Sequence, residues 1–226
     1  MIPPRGIVIS NYFPLVKVAG QLNFGPLQFV KVAWRMRSWS IRAVGNEEFE
    51  LRHGETVLVL PQYYASMTLN EWKMWEDAYL PCGGLAGKVV LDVGAGAGET
   101  AYFYMSHGAS KVICVEADKQ AYAALLRNAE RNKWPIEAVN EKFRLSHLDS
   151  FEHDYLKMDI DGGERALLDY QGNLGACMIE AHPYESGIPD IDRRLKEKFG
   201  LRDVLEFGSK GIRYYCLQPA NQEDRT

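Results

Sequence analysis

The fold of this chain is decided by the stretch Lys88-Val-Val-Leu-Asp-Val-Gly-Ala-Gly-Ala-Gly-Glu-Thr100. Its apolar run, Val89 to Val93, is typical of a buried parallel strand. Three alternate glycines follow the strand, and helical periodicity begins after them, over Ala101 to His107. A strand, a glycine turn and a helix in this order form the nucleotide crevice of a doubly wound α/β sheet. Glycines there let the backbone approach a ligand, and the helix N-terminus offers free N–H groups.

An acidic residue ends the next apolar run. Lys111 to Val115 predicts a second strand, and Glu116 follows it, 22 residues after Gly94. This offset is close to the roughly 20 residues at which an acid binds the hydroxyl groups of a ribose. Two ligands fit this arrangement, a dinucleotide and S-adenosylmethionine.

The spacing of the glycines separates these two ligands. The dinucleotide pattern G-x-G-x-x-G requires its third glycine at position 99, but that residue is Glu99 and the third glycine is Gly98. The observed G-x-G-x-G, with Asp92 two residues before its first glycine, resembles motif I of class I methyltransferases. S-adenosylmethionine is therefore the predicted cofactor, and a nicotinamide oxidoreductase is the alternative.

Composition and charge set limits on the class of protein. A chain of 226 residues is long enough for one α/β domain with an N-terminal extension. The formal net charge of −4 gives no global electrostatic reason to expect a nucleic-acid partner. The cysteines are widely spaced and three lie in apolar runs, which predicts a reducing cytoplasm without a disulfide framework or zinc site: Cys82, Cys114, Cys177 and Cys216.

The apolar stretch Tyr12 to Trp34 is the one segment that needs testing as a membrane span. It is interrupted by Lys17, Gln21, Asn23, Pro26 and Lys31 among others, so it falls short of the roughly 18 uninterrupted apolar residues of a spanning helix. The sequence predicts no transmembrane segment and no secretory signal.

Residues 1–80 are predicted to form an α+β extension that packs on the core. A helix is predicted from Pro26 to Arg37, and alternating apolar residues over Trp39 to Leu60 predict a small antiparallel meander. A helix rich in aromatic residues follows, from Leu69 to Leu80. The N-terminal helix or the last hairpin of the chain would supply the contact of a homodimer.

Residues 81–220 are predicted to form the main domain, and residues 221–226 a disordered tail. After Glu116, helix and strand patterns alternate, which is typical of a doubly wound, mostly parallel sheet. Strands are predicted at Ile136 to Asn140, Asp154 to Ile160 and Ala176 to Ala181, and a helix at Ile188 to Phe199. The last two runs, Leu201 to Glu206 and Ile212 to Leu217, predict an antiparallel pair at the sheet edge. This Rossmann-like layout is that of class I methyltransferases.

Three separated segments resemble the FkbM-type methyltransferases. They are Val90 to Gly98, Leu148-Asp-Ser-Phe151 and Leu156-Lys-Met-Asp-Ile-Asp-Gly-Gly-Glu164. The family carries Lys-hydrophobic-Asp-hydrophobic-Glu-Gly-x-Glu in the third segment, and this chain has Asp161 in place of the first glutamate. The resemblance covers roughly residues 85–185 and implies O-methylation of a hydroxyl on a small molecule or sugar. It leaves the extension unexplained.

The predicted cofactor contacts follow from these motifs. Glu116 would accept hydrogen bonds from the ribose hydroxyls. Asp92 would anchor the glycine loop or receive the methionyl amine through water, and the resemblance places Asp149 near the adenine. Glu99 would be either an acid of the first helical turn or a ligand contact. The loop glycines that would allow close backbone approach are Gly94, Gly96 and Gly98.

The catalytic candidates lie where the fourth and fifth strands of the main domain end. Asp159 or His182 would take the proton of the acceptor, because methyl transfer to a hydroxyl needs a base. A second hypothesis is that Asp159, Asp161, Glu180 and His182 bind a divalent cation, although the sequence alone assigns no metal.

The leading functional prediction is an S-adenosylmethionine-dependent O-methyltransferase acting on a small hydroxylated molecule. The alternatives are an RNA or protein methyltransferase and a non-catalytic module that keeps the cofactor fold. Enzymes that methylate base amines commonly carry Asn/Asp-Pro-Pro-Tyr/Phe at the fourth strand end, where this chain has Asp159-Ile-Asp-Gly. Nucleic acid is therefore not the expected acceptor.

Overall fold

The computed structural model describes Val32 and residues 38–44, 47–209 and 212–220. The chain divides into two compact units, Met1–Lys73 and Met74–Thr226. The sequence placed this division seven residues later, after Leu80. The strand-like run at residues 6–10, the N-terminal helix apart from Val32, and the tail at residues 221–226 lie outside the described residues, and the packing of the extension on the core stays a prediction.

The first unit contains the predicted meander. Strands β1 (Trp39–Ala43), β2 (Glu48–His53) and β3 (Thr56–Pro61) pair antiparallel in the order β1-β2-β3. Helix α1 (Gln62–Ala78) follows β3 at once and begins seven residues before the predicted start. The early start was missed because Pro61 precedes it, and no Ser, Thr, Asp or Asn marks an N-cap there.

The second unit is built on a seven-stranded sheet. Six neighbouring pairs hold it together, in the order β6-β5-β4-β7-β8-β10-β9. The first five strands in this order are parallel and β10 is antiparallel to both neighbours, which confirms the predicted fold class. The strands are β4 (Val89–Val93), β5 (Lys111–Val115), β6 (Ile136–Val139), β7 (Tyr155–Met158), β8 (Cys177–Ala181), β9 (Leu201–Ser209) and β10 (Ile212–Pro219).

Helices connect these strands. They are α2 (Glu99–Ser106), α3 (Lys119–Asn132), α4 (Ser146–Ser150), a 3₁₀ helix (Gly163–Asp169), α5 (Pro183–Ser186) and α6 (Ile191–Phe199). The helix predicted over Ile188 to Phe199 therefore begins three residues later than expected. Gly187, in the left-handed conformation with φ 69°, ends α5, and the chain then re-enters a helix after Asp190.

The apolar strands form the core of the second unit. Leu91, Ile113, Leu156 and Ile179 are buried in one hydrophobic cluster that runs across β5, β4, β7 and β8. Strands buried on both faces read as continuous apolar runs, which is why their positions could be recognised from sequence. In the described part of the chain, each helix is too short or too polar to cross a lipid bilayer.

Strand β10 also contacts the chain at the C-terminal end of helix α1. The Gln218 side chain on β10 donates hydrogen bonds to the carbonyl oxygens of Ala78 (2.7 Å) and Leu80 (3.0 Å). These carbonyls lie at the C-terminal end of α1, where backbone acceptors have no partner within the helix. Strand β10 itself lies between β8 and β9.

Candidate active site

The carboxyl ends of the parallel strands border a pocket of about 430 Å³. Ligands of open α/β sheets bind at this edge, near the point where the strand order reverses, and here the reversal lies between β4 and β7. The pocket is lined by Ala117, Lys142, Phe143, Ile160, Asp161, Gly162, Gly163, Arg165 and Glu185. It lies on the side of the sheet where the sequence predicted a cofactor.

The glycine loop is needed first for packing. Gly94, Gly96 and Gly98 all have positive φ angles, of 79°, 54° and 96°. A Cβ on Gly94 would lie 1.9 Å from the Asp159 carbonyl oxygen, and one on Gly98 would lie 2.9 Å from Leu125 Cδ1. Gly94 thus lets β4 meet the end of β7, and Gly98 lets α2 start against α3.

Asp92 anchors this loop from inside the protein. Its carboxylate is fully buried, lies 3.0 Å from the ammonium of Lys157 and accepts a hydrogen bond of 2.6 Å from Thr100 Oγ1. Lys157 also donates to the carbonyl oxygen of Gly94, at 2.6 Å. No part of the Asp92 side chain reaches solvent, which is the environment expected of an anchor, and its contact with the cofactor stays a prediction.

The electrostatics of the pair follow from burial. Burial by itself would lower the pKa of Lys157, but the neighbouring carboxylates of Asp92 and Asp159 raise it above its ordinary value. Burial raises the pKa of Asp92, and the Lys157 charge opposes that shift. Each member of the pair therefore depends on the other to remain charged.

Glu116 lies at the predicted place, directly after β5. Glu116 is 8% exposed, and its two carboxylate oxygens accept hydrogen bonds from the backbone N–H groups of Gly96 (2.8 Å) and Asp118 (2.7 Å). Burial raises its pKa, while the two N–H groups act in the opposite direction. Each carboxylate oxygen keeps a second lone pair, so the group can still accept from a hydroxyl donor at the strand edge.

Glu99 belongs to the loop and not to an exposed helix start. It is the first residue of α2, it is buried, and its Oε2 accepts a hydrogen bond of 2.9 Å from the Ala97 N–H. Burial raises its pKa to about 8. Of the two roles that the sequence left open for this acid, the structure favours support of the loop and first turn.

Asp149 is placed away from the pocket. It lies on α4, it is exposed, and its carboxylate accepts a hydrogen bond of 2.9 Å from the Tyr170 hydroxyl. Its neighbour Ser150 lines a different pocket, beside Val89 and Lys111 at the amino ends of the strands. Asp149 does not line this pocket, because α4 already leads the chain back toward the opposite sheet edge, and its adenine contact stays a prediction. Lys142 and Phe143, just after β6, line the pocket instead.

Beside the pocket lies a group of titratable side chains that we call the His182 cluster: Asp159, Asp161, Glu164, Glu180 and His182. His182 Nε2 lies 3.3 Å from Glu180 Oε1, 3.6 Å from Asp159 Oδ1 and 3.8 Å from Asp161 Oδ1. The Tyr79 hydroxyl donates to Glu180 Oε2 at 2.6 Å and lies 3.2 Å from Asp159 Oδ2. The structure therefore brings both predicted catalytic residues together.

Charge determines the protonation of this cluster. Burial raises the pKa of Asp159 to about 6, with a further contribution from the Glu180 carboxylate. Burial would lower the pKa of His182, but the carboxylates around it raise the value to about 11. As it stands, His182 is an imidazolium at neutral pH, so Asp159 is the better proton acceptor of the two.

Two members of the site were not recognised from sequence as functional. Lys157 could have been recognised from sequence, since a lysine inside the apolar run Tyr155–Met158 must be paired if it is buried. Tyr79 could not have been recognised, because its partners Asp159 and Glu180 lie 80 and 101 residues further along the chain. Contacts of that kind become visible only once the fold is known.

In sequence, the chain is similar to methyltransferases. It is 31% identical over 196 residues to the Ribosomal protein L11 methyltransferase of Photobacterium profundum, an alignment that covers 86% of this chain and 58% of that protein. The same-named protein of Mannheimia succiniciproducens is 31% identical over 192 residues, which cover 84% of this chain and 56% of that one. This chain thus spans little more than half the length of these curated relatives.

In structure, the chain shares its fold with methyltransferases. It matches TYW2 of P. horikoshii in complex with MeSAdo with a TM-score of 0.51 at 14% identity, over 86% of this chain and 84% of that one. TYW2 of M. jannaschii in complex with AdoMet matches with a TM-score of 0.50 at 15% identity, over 78% and 86%. These likenesses confirm the predicted class I methyltransferase fold.

The comparisons correct one prediction and leave another unchanged. The curated relatives are named for a protein substrate, so the predicted small-molecule acceptor is wrong. The error has a physical reason: the recognised motifs all lie at the cofactor edge, and that edge carries no information about the acceptor. No family model matches the chain, and the resemblance to the FkbM-type enzymes in particular stays a prediction.

Proposed function

We propose that this chain is an S-adenosylmethionine-dependent methyltransferase whose acceptor is a protein. The observation that carries the proposal is the pocket at the carboxyl edge of the sheet, bordered by the residues that follow β5, β6 and β7. The named activity of the curated relatives supports the choice of acceptor.

The side chains present fit this cofactor. Glu116 offers a buried carboxylate to the ribose hydroxyls, and charge-assisted hydrogen bonds of this kind contribute about 1.5–3 kcal/mol each. Ala117 and Phe143 offer apolar lining for the adenine, and both line the pocket. The loop glycines hold the backbone in the left-handed region that the turn requires. When bound, the cofactor supplies an electrophilic methyl group on its sulfonium.

The His182 cluster lies at the end of the pocket where the acceptor would enter. Asp161 belongs both to the cluster and to the pocket lining, and Ile160 lies between Asp161 and Asp159 in sequence. We assign Asp159 and His182 to contact the acceptor at the transferred methyl group, with the acidic side chains taking up the proton that it loses. A concentration of negative charge also favours the approach of a basic protein surface.

Transfer of label tests the proposal. Purified protein is incubated with S-adenosylmethionine labelled in its methyl group, together with a ribosomal protein fraction or with ribosomal RNA. We expect label that protease removes and ribonuclease leaves in place, and we expect Asp159→Asn to reduce its rate by at least about a hundredfold. Label in RNA alone would overturn the protein acceptor, and absence of any cofactor binding would overturn the enzyme class.

Replacement of Glu116 by glutamine gives a prediction for cofactor binding. The variant keeps the shape of the side chain but exchanges charged acceptors for a neutral amide, so we expect S-adenosylmethionine to bind about tenfold more weakly. Titration calorimetry measures the change. Glu130→Gln, which alters an exposed acid on α3, is the matched control and should leave binding unchanged. Equal affinity in both variants would remove Glu116 from the cofactor site.

A further inference from the structure

His182 is surrounded by more acid than it can neutralise. Four carboxylates approach the imidazole, those of Asp159, Asp161 and Glu180 near Nε2 and that of Glu164 near Nδ1. The nearby ammonium of Lys157 is already shared between Asp92 and the Gly94 carbonyl. Like charges brought together in a partly buried site need a counter-charge or bound protons to be stable.

The imidazole also carries an atom with no partner. His182 is 4% exposed, and its Nδ1 has no hydrogen-bond partner among the described residues. Glu164 Oε1 lies 3.6 Å from that nitrogen, too far for a hydrogen bond, and accepts instead from the backbone N–H of His182 at 2.6 Å. Glu164 is fully buried, and its Oε2 likewise has no partner in the described part of the chain.

This arrangement resembles the one that metal-binding histidines use, with the carboxylate at a longer distance. A ligating imidazole donates its second N–H to a carboxylate, which fixes the orientation of the ring and the nitrogen that faces the metal. Glu164 Oε1 lies on the Nδ1 side of the ring, 3.6 Å away and short of a hydrogen bond as the ring stands, and Nε2 faces the other acids. A buried carboxylate behind a buried histidine is a feature that a simple surface cluster of acids does not have.

The distances around Nε2 suit a shared ion. Ligand atoms of Asp159, Asp161 and His182 all lie within 4.8 Å of one another. Two ligands that are each about 2.0–2.2 Å from one ion are at most about 4.4 Å apart, and Nε2 lies 3.6 Å and 3.8 Å from the two aspartate oxygens. Both imidazole-to-carboxylate distances therefore lie within the limit for two ligands of one ion.

The backbone holds one of these ligands in place. Asp161 has a φ of 43°, a left-handed conformation that aspartate tolerates better than most residues. Gly162 follows with a φ of 91°, and a Cβ there would lie 2.4 Å from the backbone of Glu185. The tight turn therefore fixes Asp161 beside the pocket, while 83% exposure of its side chain leaves room for water or an acceptor atom.

We propose that Asp159, Asp161 and His182 bind a divalent transition-metal ion of the Mn²⁺ or Zn²⁺ type at the acceptor end of the pocket, with the Nε2 proton of His182 released to solvent as the ion binds. Mixed imidazole and carboxylate ligands favour these ions over Mg²⁺, which prefers oxygen ligands alone. Glu180 lies within reach as a further oxygen ligand, and Tyr79 orients it. An ion here would lower the pKa of an acceptor group bound to it.

The test measures binding and not turnover, so this inference and the proposed function can fail separately. Protein treated with chelator and dialysed is titrated with Mn²⁺, and free Mn²⁺ is followed by electron paramagnetic resonance. We expect one site per chain, displaced by Zn²⁺ and only weakly by Mg²⁺. His182→Gln and Asp161→Asn should each weaken Mn²⁺ binding at least tenfold, whereas Asp169→Asn, an exposed acid of the 3₁₀ helix, should not.

Asp161→Asn keeps the test decisive if the histidine variant does not fold, because its side chain is largely exposed. A urea unfolding curve for each variant establishes that it is folded. The inference is overturned by a lack of Mn²⁺ and Zn²⁺ binding at millimolar concentration. It is equally overturned by binding that survives Asp161→Asn, or by a preference for Mg²⁺ over Mn²⁺.

Discussion

Lys157 is the residue on which the inner end of the site depends. It joins β7 to β4 by contacting both the Asp92 carboxylate and the Gly94 carbonyl oxygen, and neither charged side chain of the pair is exposed to water as a substitute partner. Removing one partner of such a buried pair is costly because it leaves the other charge unpaired, whereas replacing both can be nearly neutral.

Lys157→Met is therefore expected to destabilise the domain by about 3–5 kcal/mol, since Asp92 would be left charged in the core. Urea unfolding measures the loss. Adding Asp92→Asn to that variant should recover part of the stability, a coupling that a double-mutant cycle quantifies. Lys119→Met, at an exposed position on α3, is the control and should change stability by less than about 0.5 kcal/mol. Full additivity of the two core substitutions would contradict the proposed pairing.

For individual residues, the sequence predicted the positions of residues at strand ends well and the roles of their side chains poorly. Glu116 and the loop glycines are where they were predicted, because a strand, a turn and a helix fix each position locally. The direction of the Asp149 side chain could not be derived from sequence, because α4 is a single short turn and gives no periodicity. Tyr79 was missed because its partners come from distant strands.

Among the elements, the glycine loop is the one whose geometry leaves least freedom. Gly94 meets the backbone at the end of β7, so its lack of a side chain is a condition for β4 and β7 to lie side by side. Gly87 has a similar φ, of 74°, but a Cβ there would have nothing within 4 Å. A comparison of alanine substitutions at Gly94 and Gly87 therefore distinguishes the cost of backbone strain from the cost of a steric clash.

Gly94→Ala should destabilise the protein by about 1–3 kcal/mol more than Gly87→Ala. Both variants carry the cost of a left-handed alanine, about 1 kcal/mol, but only the first forces a Cβ to within 1.9 Å of a carbonyl oxygen. Thermal and urea unfolding of the two variants give the comparison. Equal losses would mean that the loop relaxes freely around position 94.

Strands were recognised more accurately than helices. Each predicted strand of the second unit is found, because continuous apolar runs flanked by turn residues are distinctive. Helix boundaries were predicted less accurately. Helix α1 starts without an N-cap residue, and the helix predicted from Ile188 begins only at Ile191, after the turn at Gly187. Caps and left-handed turns, and not periodicity, decide those boundaries.

For the molecule as a whole, pH is the variable that reports on the buried acids. Glu99 has a pKa of about 8 in the folded protein against an ordinary value of 4.5, because burial opposes its charge. The folded state therefore binds more protons than the unfolded state between these values. The contribution of Glu99 to stability is complete below about pH 4.5 and is lost as the pH rises through about 8.

Glu99→Gln should remove this dependence. We expect the difference in urea midpoint between the variant and the parent protein to move in favour of the variant from about pH 4.5 to about pH 8, and to stay constant above that range. The amide oxygen of glutamine can still accept the hydrogen bond from the Ala97 N–H, so the loop is preserved. Parallel curves for the two proteins would show that Glu99 titrates normally.

The position of β10 has a consequence for how the protein is made. Synthesis proceeds from the N-terminus, and β9 leaves the ribosome before the strand that separates it from β8 exists. Until residues 212–219 emerge, β8 lacks its outer neighbour, β9 has no place in the sheet, and the carbonyl groups of Ala78 and Leu80 lack the Gln218 amide. The nascent domain must therefore wait in an incomplete form for its last strand, which makes that interval the time at which a chaperone would matter most.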